Sequence, residues 1–146
     1  MCEPGGLGAR DTLRLEMGYP LYGHELSSVR TPVATSRGMF IDMEKEFVGK
    51  GNVAADLDDP EMLLIGLKFS SKRAAREHDK IYFDDIEIGE VTSGSVAPSL
   101  GVAVAMAFVE PEFADYGRML DVEIRGKRFS AEVVDLPFYK NATARG

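Results

Sequence analysis

The stretch "VAVAMAF" from Val102 to Phe108 carries the pattern from which the fold can be predicted. Its larger apolar side chains occupy every second position and alternate with alanines. A period of two is typical of a β-strand, because successive side chains point to opposite faces of a sheet. The stretch therefore predicts a strand with a large-residue face and a small-residue face.

Similar patterns lie on both sides of this strand. Leu120–Ile124 and Phe129–Val133 alternate in the same way and are separated by Arg125–Arg128. This arrangement predicts a hairpin with a four-residue loop. Ile86 and Ile88 follow an Asp-Asp turn and predict a further strand. Several short strands with closely spaced turns favour a small antiparallel barrel or a sandwich.

The chain before residue 60, called here the first section, follows a different rhythm. From Gly8 to Met17 apolar residues recur at every fourth position, which predicts one face of a helix starting after a Gly8 cap. Gly18 and Pro20 end it, since glycine accepts the left-handed cap conformation and proline cannot continue the helix.

The rest of the first section predicts less regular structure. Met39–Met43 alternates over a few residues and suggests a short strand, and Asn52 could cap a small helix that contains Val53 and Leu57. These elements expose too much apolar surface to be stable alone. We therefore predict a mostly β chain in which a short α+β section precedes a small C-terminal β-barrel, with the boundary near Asp58-Asp59-Pro60.

Composition excludes several functions. The net charge of −7 opposes binding to nucleic acid phosphates and to anionic membrane surfaces. The single cysteine, Cys2, excludes a disulfide framework and a cysteine-rich zinc site, which fits a reducing compartment and predicts a cytoplasmic protein. No apolar run approaches the roughly 20 residues that a membrane-spanning helix needs.

The familiar catalytic motifs are absent from the sequence. The glycines of "GGLGAR" lack the third glycine of a dinucleotide fingerprint, because Asp11 stands at its position. The "GKGN" segment lacks the Ser or Thr that follows lysine in a triphosphate loop. His24 and His78 are the only histidines and lie far apart in sequence, so no metal site is predicted. No glycine-flanked serine supports a hydrolase.

Arg10 allows two interpretations. In the first turn of the predicted helix, its guanidinium and the free backbone N–H groups could bind an anionic or carbonyl oxygen. The alternative is a solvated side chain or one that pairs with an acid elsewhere, and the residues alone favour this alternative. Tyr22, just after Pro20, is by the same reasoning more typical of a packing residue than of a ligand contact.

Several motifs together resemble one family. "GLGARDTLRLE" followed by "PLYGHEL" resembles the aminomethyltransferase family, the T-protein of the glycine cleavage system. "FVGKGN", "GEVTSGSVAPSLG" and "VEIRGKRFSAEVVDLPFYK" are similar to later segments of the same family, in the same order. The resemblance covers essentially the whole chain.

The resemblance implies both a domain organisation and a reaction. Residues 1–59 would be the C-terminal end of the folate-binding domain, left incomplete, and residues 60–146 the C-terminal β-barrel domain. The family transfers the one-carbon unit from the aminomethyl-lipoyl arm of the H-protein to tetrahydrofolate and releases ammonia. Tetrahydrofolate is thus the expected co-substrate, and no metal is expected.

The resemblance also assigns residues. The family's essential aspartate has no match in this sequence, so no catalytic residue is expected here and the chain alone should be inactive. Arg10 matches the family's folate-contacting arginine, and Tyr22 is a second, weaker candidate for the pocket. The N-terminal portion could be a separate chain that pairs with this one.

Other functions stay open. One is a non-catalytic β-barrel module that docks on a partner polypeptide. Another is part of a related folate-dependent demethylase or of a dimethylglycine- or sarcosine-oxidising enzyme, since these proteins share the architecture.

Overall fold

The computed structural model of the chain describes residues 2–141. Met1 and residues 142–146, which the predicted domains include at their ends, lie outside the described residues. No helix in the described part is long and apolar enough to cross a membrane. In chain order the helices and strands are α1 (Leu7–Glu16), a 3₁₀ turn (Gly38–Phe40), α2 (Lys50–Asp58), β1 (Leu63–Phe69), β2 (Lys80–Phe83), β3 (Ile86–Ala97), β4 (Val102–Val109), a second 3₁₀ turn (Pro111–Phe113), β5 (Met119–Ile124) and β6 (Lys127–Val134).

The six strands form a closed antiparallel barrel in the order β1-β4-β3-β2-β5-β6, and β6 pairs with β1 to close it. The predicted fold class, a mostly β chain with a small antiparallel barrel, is confirmed. Strand β2 was not predicted, because its four residues are too few to show a period. Closure removes the unpaired edges that an open sheet would expose.

Strand β4 is buried on both faces. Its alanines point into the barrel, where they belong to the interior cluster of apolar side chains. Val104, Met106 and Phe108 point outward and pack with Leu15 of α1 and with Phe138, which follows the last strand. The small face fits the narrow interior of a six-stranded barrel, and the large face is covered by the first section together with the segment after β6.

The hairpin between β5 and β6 is tighter than predicted. Ile124 pairs with Lys127, so the loop has two residues, Arg125 and Gly126, and the prediction of four was wrong. Both loop residues have positive φ, 53° and 76°. Such a pair is typical of a type I′ turn, whose twist matches that of the flanking strands. An arginine at the first position gives no sequence signal for this conformation.

Helix α1 begins two residues earlier than predicted, with Gly6 rather than Gly8 as its N-cap. The predicted role of Gly18 is confirmed, because this residue lies at φ +64° directly after the helix. The Gly18 N–H donates to the Leu15 carbonyl at 2.9 Å and the Tyr19 N–H donates to the Arg14 carbonyl at 2.8 Å. These two bonds form a Schellman motif, which ends the helix and turns the chain.

The predicted apolar face of α1 is not the face that packs on the barrel. Leu13, at its centre, is 65% exposed, whereas Leu15 and Glu16 are almost fully buried. The helix is oriented by what the barrel presents to it, namely the large-residue face of β4 and the hydroxyl groups described below. A periodic pattern cannot indicate this choice of face.

The predicted strand at Met39–Met43 is wrong. Gly38–Phe40 forms a 3₁₀ turn, and Asp42 then accepts a hydrogen bond from the Glu44 N–H at 3.0 Å. Such local side-chain bonds compete with strand pairing. Helix α2 starts after Gly49, which has φ +92°, so Asn52 lies inside the helix and does not cap it. Among residues 2–62 the structure contains no extended strand, only an isolated bridge from Tyr22 to Leu26.

Candidate functional site

A cleft of about 860 Å³ lies where the first section meets the barrel. The start of α1 and the loop after it form one wall, and the β1–β2 loop and the middle of β3 form the other. The polar and charged residues that line it are Arg10, Asp11, Arg14, Tyr19, His24, Arg76, Glu77, His78, Thr92 and Ser93. The cleft is thus made largely by two of the sequence motifs, "GLGARDTLRLE" to "PLYGHEL" on one side and "GEVTSGS" on the other.

Arg14 connects the two walls. Its guanidinium donates to Asp11 Oδ1 within its own helix, with distances of 2.8 Å from Nε and 2.7 Å from Nη2. Nη1 donates to Glu25 Oε2 at 3.0 Å, and Nη2 donates to Ser93 Oγ on β3 at 2.8 Å. These bonds neutralise the charge of the guanidinium and use its N–H donors. Arg14 therefore holds α1 and the loop after it against β3.

Glu25 is fully buried and accepts hydrogen bonds at both oxygens. Oε2 accepts from Arg14 and from the Leu21 N–H, the latter at 2.9 Å. Oε1 accepts from Thr92 Oγ1 at 2.6 Å and from Ser93 Oγ at 2.5 Å. A buried carboxylate is costly unless paired and hydrogen-bonded, and here each oxygen has two donors.

A second buried acid fixes the end of α1. Glu16 Oε1 accepts from the Ser99 N–H at 2.9 Å, and Oε2 accepts from Ser99 Oγ at 2.7 Å. The Glu16 carbonyl accepts from the Tyr139 N–H at 2.9 Å. We call Arg14, Glu16, Glu25, Thr92, Ser93 and Ser99 the polar junction. Among the described residues, none of its buried side-chain atoms lacks a hydrogen-bond partner.

Gly94 lets the β1–β2 loop reach the cleft. A Cβ at this position would lie 2.2 Å from the Ala75 carbonyl oxygen, well inside the contact distance of real atoms. The loop therefore lies directly on β3, with Ala75 fully buried beneath it. The His78 N–H donates to the Val91 carbonyl at 2.9 Å and holds the loop in place. Glycine at this point of the "TSGS" motif is a steric requirement.

The structure brings the two histidines together although the sequence separates them widely. His24 Nδ1 lies 3.1 Å from Glu77 Oε1 and 3.2 Å from the Thr92 carbonyl. His78 Nδ1 lies 2.8 Å from Glu90 Oε1, and this hydrogen bond raises the pKa of His78 above its ordinary value. In residues 2–141 there is no group of three or more His, Cys, Asp or Glu that could hold a metal ion.

Glu90 is shared between two bases on the rim of the cleft. Its other oxygen, Oε2, accepts from Lys80 Nζ at 2.6 Å. The bond from Lys80, followed by the bond from His78, holds the pKa of Glu90 below its ordinary range. Lys80 in turn has a raised pKa, chiefly because of the same bond to Glu90.

Of the two residues predicted to contact a ligand, the structure places one in the cleft. Arg10 lines it and is exposed, and its side chain makes no hydrogen bond or ion pair to any described residue. Tyr22 is 74% exposed and does not line the cleft, whereas Tyr19 does. The role of each residue in binding stays a prediction.

The sequence reasoning missed most of the site. Arg14, Glu25 and Arg76 were not singled out, although the first two lie within the quoted motifs. Charged residues in the first section and hydroxyls in "VTSGS" are complementary, and that complementarity was the available signal. Their partners lie 67 to 79 positions apart along the chain, and nothing in local spacing relates such distant residues.

Comparison with known proteins gives a consistent result. The family model for the glycine cleavage T-protein C-terminal barrel domain matches residues 63–140. The aminomethyltransferase of Saccharopolyspora erythraea is 45% identical over 142 residues, covering 94% of this chain and 39% of that protein. The aminomethyltransferase of Cutibacterium acnes is 42% identical over 141 residues, covering 95% of this chain and 38% of that protein.

A solved structure agrees in fold. The crystal structure of glycine cleavage system aminomethyltransferase T from Bartonella henselae matches with a TM-score of 0.86 and 32% identity, over 92% of this chain and 39% of that one. The chain thus spans about two fifths of the length of the relatives it matches. With a family model that matches over half of its residues and a close structural match, the chain belongs to the glycine cleavage T-protein family.

Proposed function

We propose that this chain supplies one wall of the folate site in a tetrahydrofolate-dependent aminomethyltransferase. In the proposed reaction the carbon–sulfur bond of an aminomethyl-lipoyl arm on the H-protein breaks, and ammonia leaves. The carbon becomes the methylene bridge between two nitrogens of tetrahydrofolate. The two protons from those nitrogens go to the lipoyl sulfur and to the departing ammonia, so the exchange is balanced.

One observation carries the proposal: the cleft is formed largely by segments in which the chain resembles its family, and the Arg10 side chain lines it without a hydrogen-bond or ion-pair partner among residues 2–141. The neighbouring Arg14 is fully occupied by Asp11, Glu25 and Ser93. An unpaired guanidinium beside a wall fixed by such bonds is suited to a carboxylate or carbonyl oxygen of a bound folate.

The first section also offers a surface for the remainder of such an enzyme. Its exposed apolar side chains include Leu7, Leu13, Val29, Met39, Phe40 and Val48. Contact with a further part of the protein would bury these side chains. We propose that a folate-binding body, corresponding to the part of the relatives that this chain does not match, packs here and provides the catalytic aspartate, either in the same polypeptide or as a separate chain.

A chimera tests the proposal. The aligned segment of the Saccharopolyspora erythraea aminomethyltransferase is replaced by this chain, and methylene-tetrahydrofolate formation is measured with aminomethyl-loaded H-protein. We expect turnover in the chimera and only the uncatalysed rate with this chain alone, because positioning of the reacting atoms needs the other part. A folded chimera without turnover would contradict the proposal.

Arg10 can be tested in the same chimera. Arg10→Ala should weaken tetrahydrofolate use by about 1.5–3 kcal/mol, the range for a hydrogen bond to a charged group. Arg10→Lys should recover part of the loss, since lysine lacks the planar fork. Arg73→Ala is the matched control, because Arg73 is exposed, does not line the cleft and stacks over Phe129 at 4.8 Å. Unchanged folate affinity in Arg10→Ala would mean that Arg10 is a solvated side chain and does not contact folate.

A further inference from the structure

Two loops line opposite walls of the cleft: the loop after α1, which belongs to the first section, and the β1–β2 loop of the barrel. Each loop has its own attachment to β3. The first is held by Glu25, whose carboxylate accepts from Ser93 Oγ at 2.5 Å. The second is held by backbone bonds from the His78 N–H to the Val91 carbonyl and from the Val91 N–H to the Asp79 carbonyl, both 2.9 Å. Neither attachment joins one loop to the other.

His24 provides a direct link between the two loops. Its Nδ1 lies 3.1 Å from Oε1 of Glu77 on the β1–β2 loop and 3.2 Å from the Thr92 carbonyl on β3. Among residues 2–141 the contact with Glu77 is the only hydrogen bond or ion pair between the first section and the β1–β2 loop. The two side chains are 34% and 38% exposed, so water has only partial access to this contact.

The neighbours of His24 determine which ring nitrogen carries the proton. The Thr92 carbonyl accepts hydrogen bonds and cannot donate them, so Nδ1 is the donor in the neutral and in the charged imidazole. Nε2 has no hydrogen-bond partner in the described part of the chain, where no buried side-chain nitrogen or oxygen lacks one, and Nε2 is therefore accessible. A side chain that keeps a donor at the place of Nδ1 should thus keep the link without Nε2.

We propose that His24 is a positioning residue, which through Glu77 holds the loop after α1 and the β1–β2 loop at a fixed separation and so sets the width of the cleft. We call the contact between these two side chains the clasp. Loss of the clasp should weaken the binding of a ligand that touches both walls and leave the chemical step unchanged. The effect on folate use rests on the proposed function, whereas the effect on the width of the cleft does not.

The width can be measured without a ligand on the full 146-residue chain, by double electron–electron resonance between nitroxide labels. The labels are attached at Ser28→Cys and Lys72→Cys, with Cys2→Ser to remove the only native thiol. Both sites are exposed, lie outside the cleft and belong to different loops. We expect one narrow distance distribution in the labelled parent and a broader one in His24→Gln, because the glutamine amide extends toward the place of Nε2. The shorter side chain in His24→Asn carries its N–H near the place of Nδ1 and should restore the narrow distribution.

The matched control is Glu46→Gln, which removes an exposed ion pair to Lys50 of 2.7 Å in the first section, outside the cleft. It should leave the distance distribution unchanged. A distribution that is already broad in the labelled parent, or one that is the same in His24→Gln and His24→Asn, would overturn the proposal.

A second readout uses the chimera and separates the clasp from the proposed function. His24→Gln should raise the KM for tetrahydrofolate about two- to fivefold, as for loss of a partly exposed ion pair, with kcat unchanged, and His24→Asn should stay near the parent. If the chimera makes no methylene-tetrahydrofolate but the label distances respond as expected, the folate function fails and the clasp stands. If the chimera is active and its KM is unchanged in His24→Gln, the clasp does not position the ligand and the inference is wrong.

Discussion

The barrel encloses its interior apolar cluster completely, whereas the first section leaves Val29, Met39 and Val48 almost fully exposed. The barrel can bury its apolar side chains by closing a sheet on itself. Within residues 2–59 the first section has no separate apolar cluster, and it is fixed to the barrel by buried charged and hydroxyl groups and by Leu15. The comparison suggests that one region is stable through its interior and the other through the polar junction.

This difference matters for the cleft, because one wall comes from each region. A wall on the barrel is as rigid as the sheet beneath it. The other wall keeps its position only as long as Arg14, Glu25 and Ser93 hold α1 and the following loop against β3. The polar junction, and not the barrel core, therefore determines the geometry around Arg10.

The largest loss of stability is expected when the central residue of the polar junction is removed. Glu25→Ala leaves the Ser93 hydroxyl and the Leu21 N–H without their acceptor, while Thr92 Oγ1 can still donate to the Met106 carbonyl at 3.0 Å. We expect the free energy of unfolding to fall by about 3 kcal/mol in urea denaturation. This is the lower end of the range for a broken buried pair, because Asp11 still pairs with Arg14.

The control is Glu77→Ala, whose carboxylate is partly exposed and contacts His24, and which should cost less than about 1 kcal/mol. A loss below about 1 kcal/mol for Glu25→Ala as well would mean that the junction does not stabilise the first section.

A smaller effect is expected where the barrel supports the other wall. Gly94→Ala forces a Cβ against the Ala75 carbonyl, and relief requires the β1–β2 loop to move. Overpacking of this kind should cost about 1–3 kcal/mol and should alter the chemical shifts of Arg76 and His78. Gly51→Ala, in α2 with open space around it, should stabilise slightly. If the two variants behaved alike, the loop would not be pressed on β3 as described.

The smallest effect concerns the rim of the cleft. The pKa of His78 is raised by its bond to Glu90, so the pair contributes stability that is fully present below the ordinary histidine pKa of about 6.5 and is lost as the pH rises through the raised value. Titration of the imidazole by NMR should show a lower pKa in Glu90→Gln. Glu87→Gln, which affects Lys80 but makes no bond to His78, is the control. An identical His78 pKa in the parent and in Glu90→Gln would show that the bond to Glu90 does not raise this pKa.

Sequence patterns predicted the barrel better than the first section for a physical reason. In β5 burial alternates with the pleat, and in β4, which is buried on both faces, side-chain size alternates instead, so period two indicates the strand in both cases. In α1 the buried residues are Leu15 and Glu16, because these are the ones that contact the barrel. Leu13, at the centre of the predicted apolar face, is instead exposed. The strand predicted at Met39–Met43 does not form, because local hydrogen bonds stabilise turns there. An alternation over so few residues does not indicate these bonds.

The candidate site was predictable in part for the same reason. Arg10 was reached through the family resemblance, since the residues around it alone favoured a solvated side chain. The contact of His24 with Thr92 and the junction depend on pairs of residues brought together only when the first section packs on the barrel. Without an indication of that packing, each member looks like an ordinary surface charge or hydroxyl.

The most direct test of the junction is native-state hydrogen exchange on the unmodified chain. The Gly18 and Tyr19 amides, which close the end of α1, should exchange with an opening free energy close to that of amides in β4. In Glu25→Ala the same two amides should exchange much faster, while those of β4 remain slow. If Gly18 and Tyr19 already exchange in the parent chain as fast as exposed turn amides, the first section is not held by the junction, and the central claim is wrong.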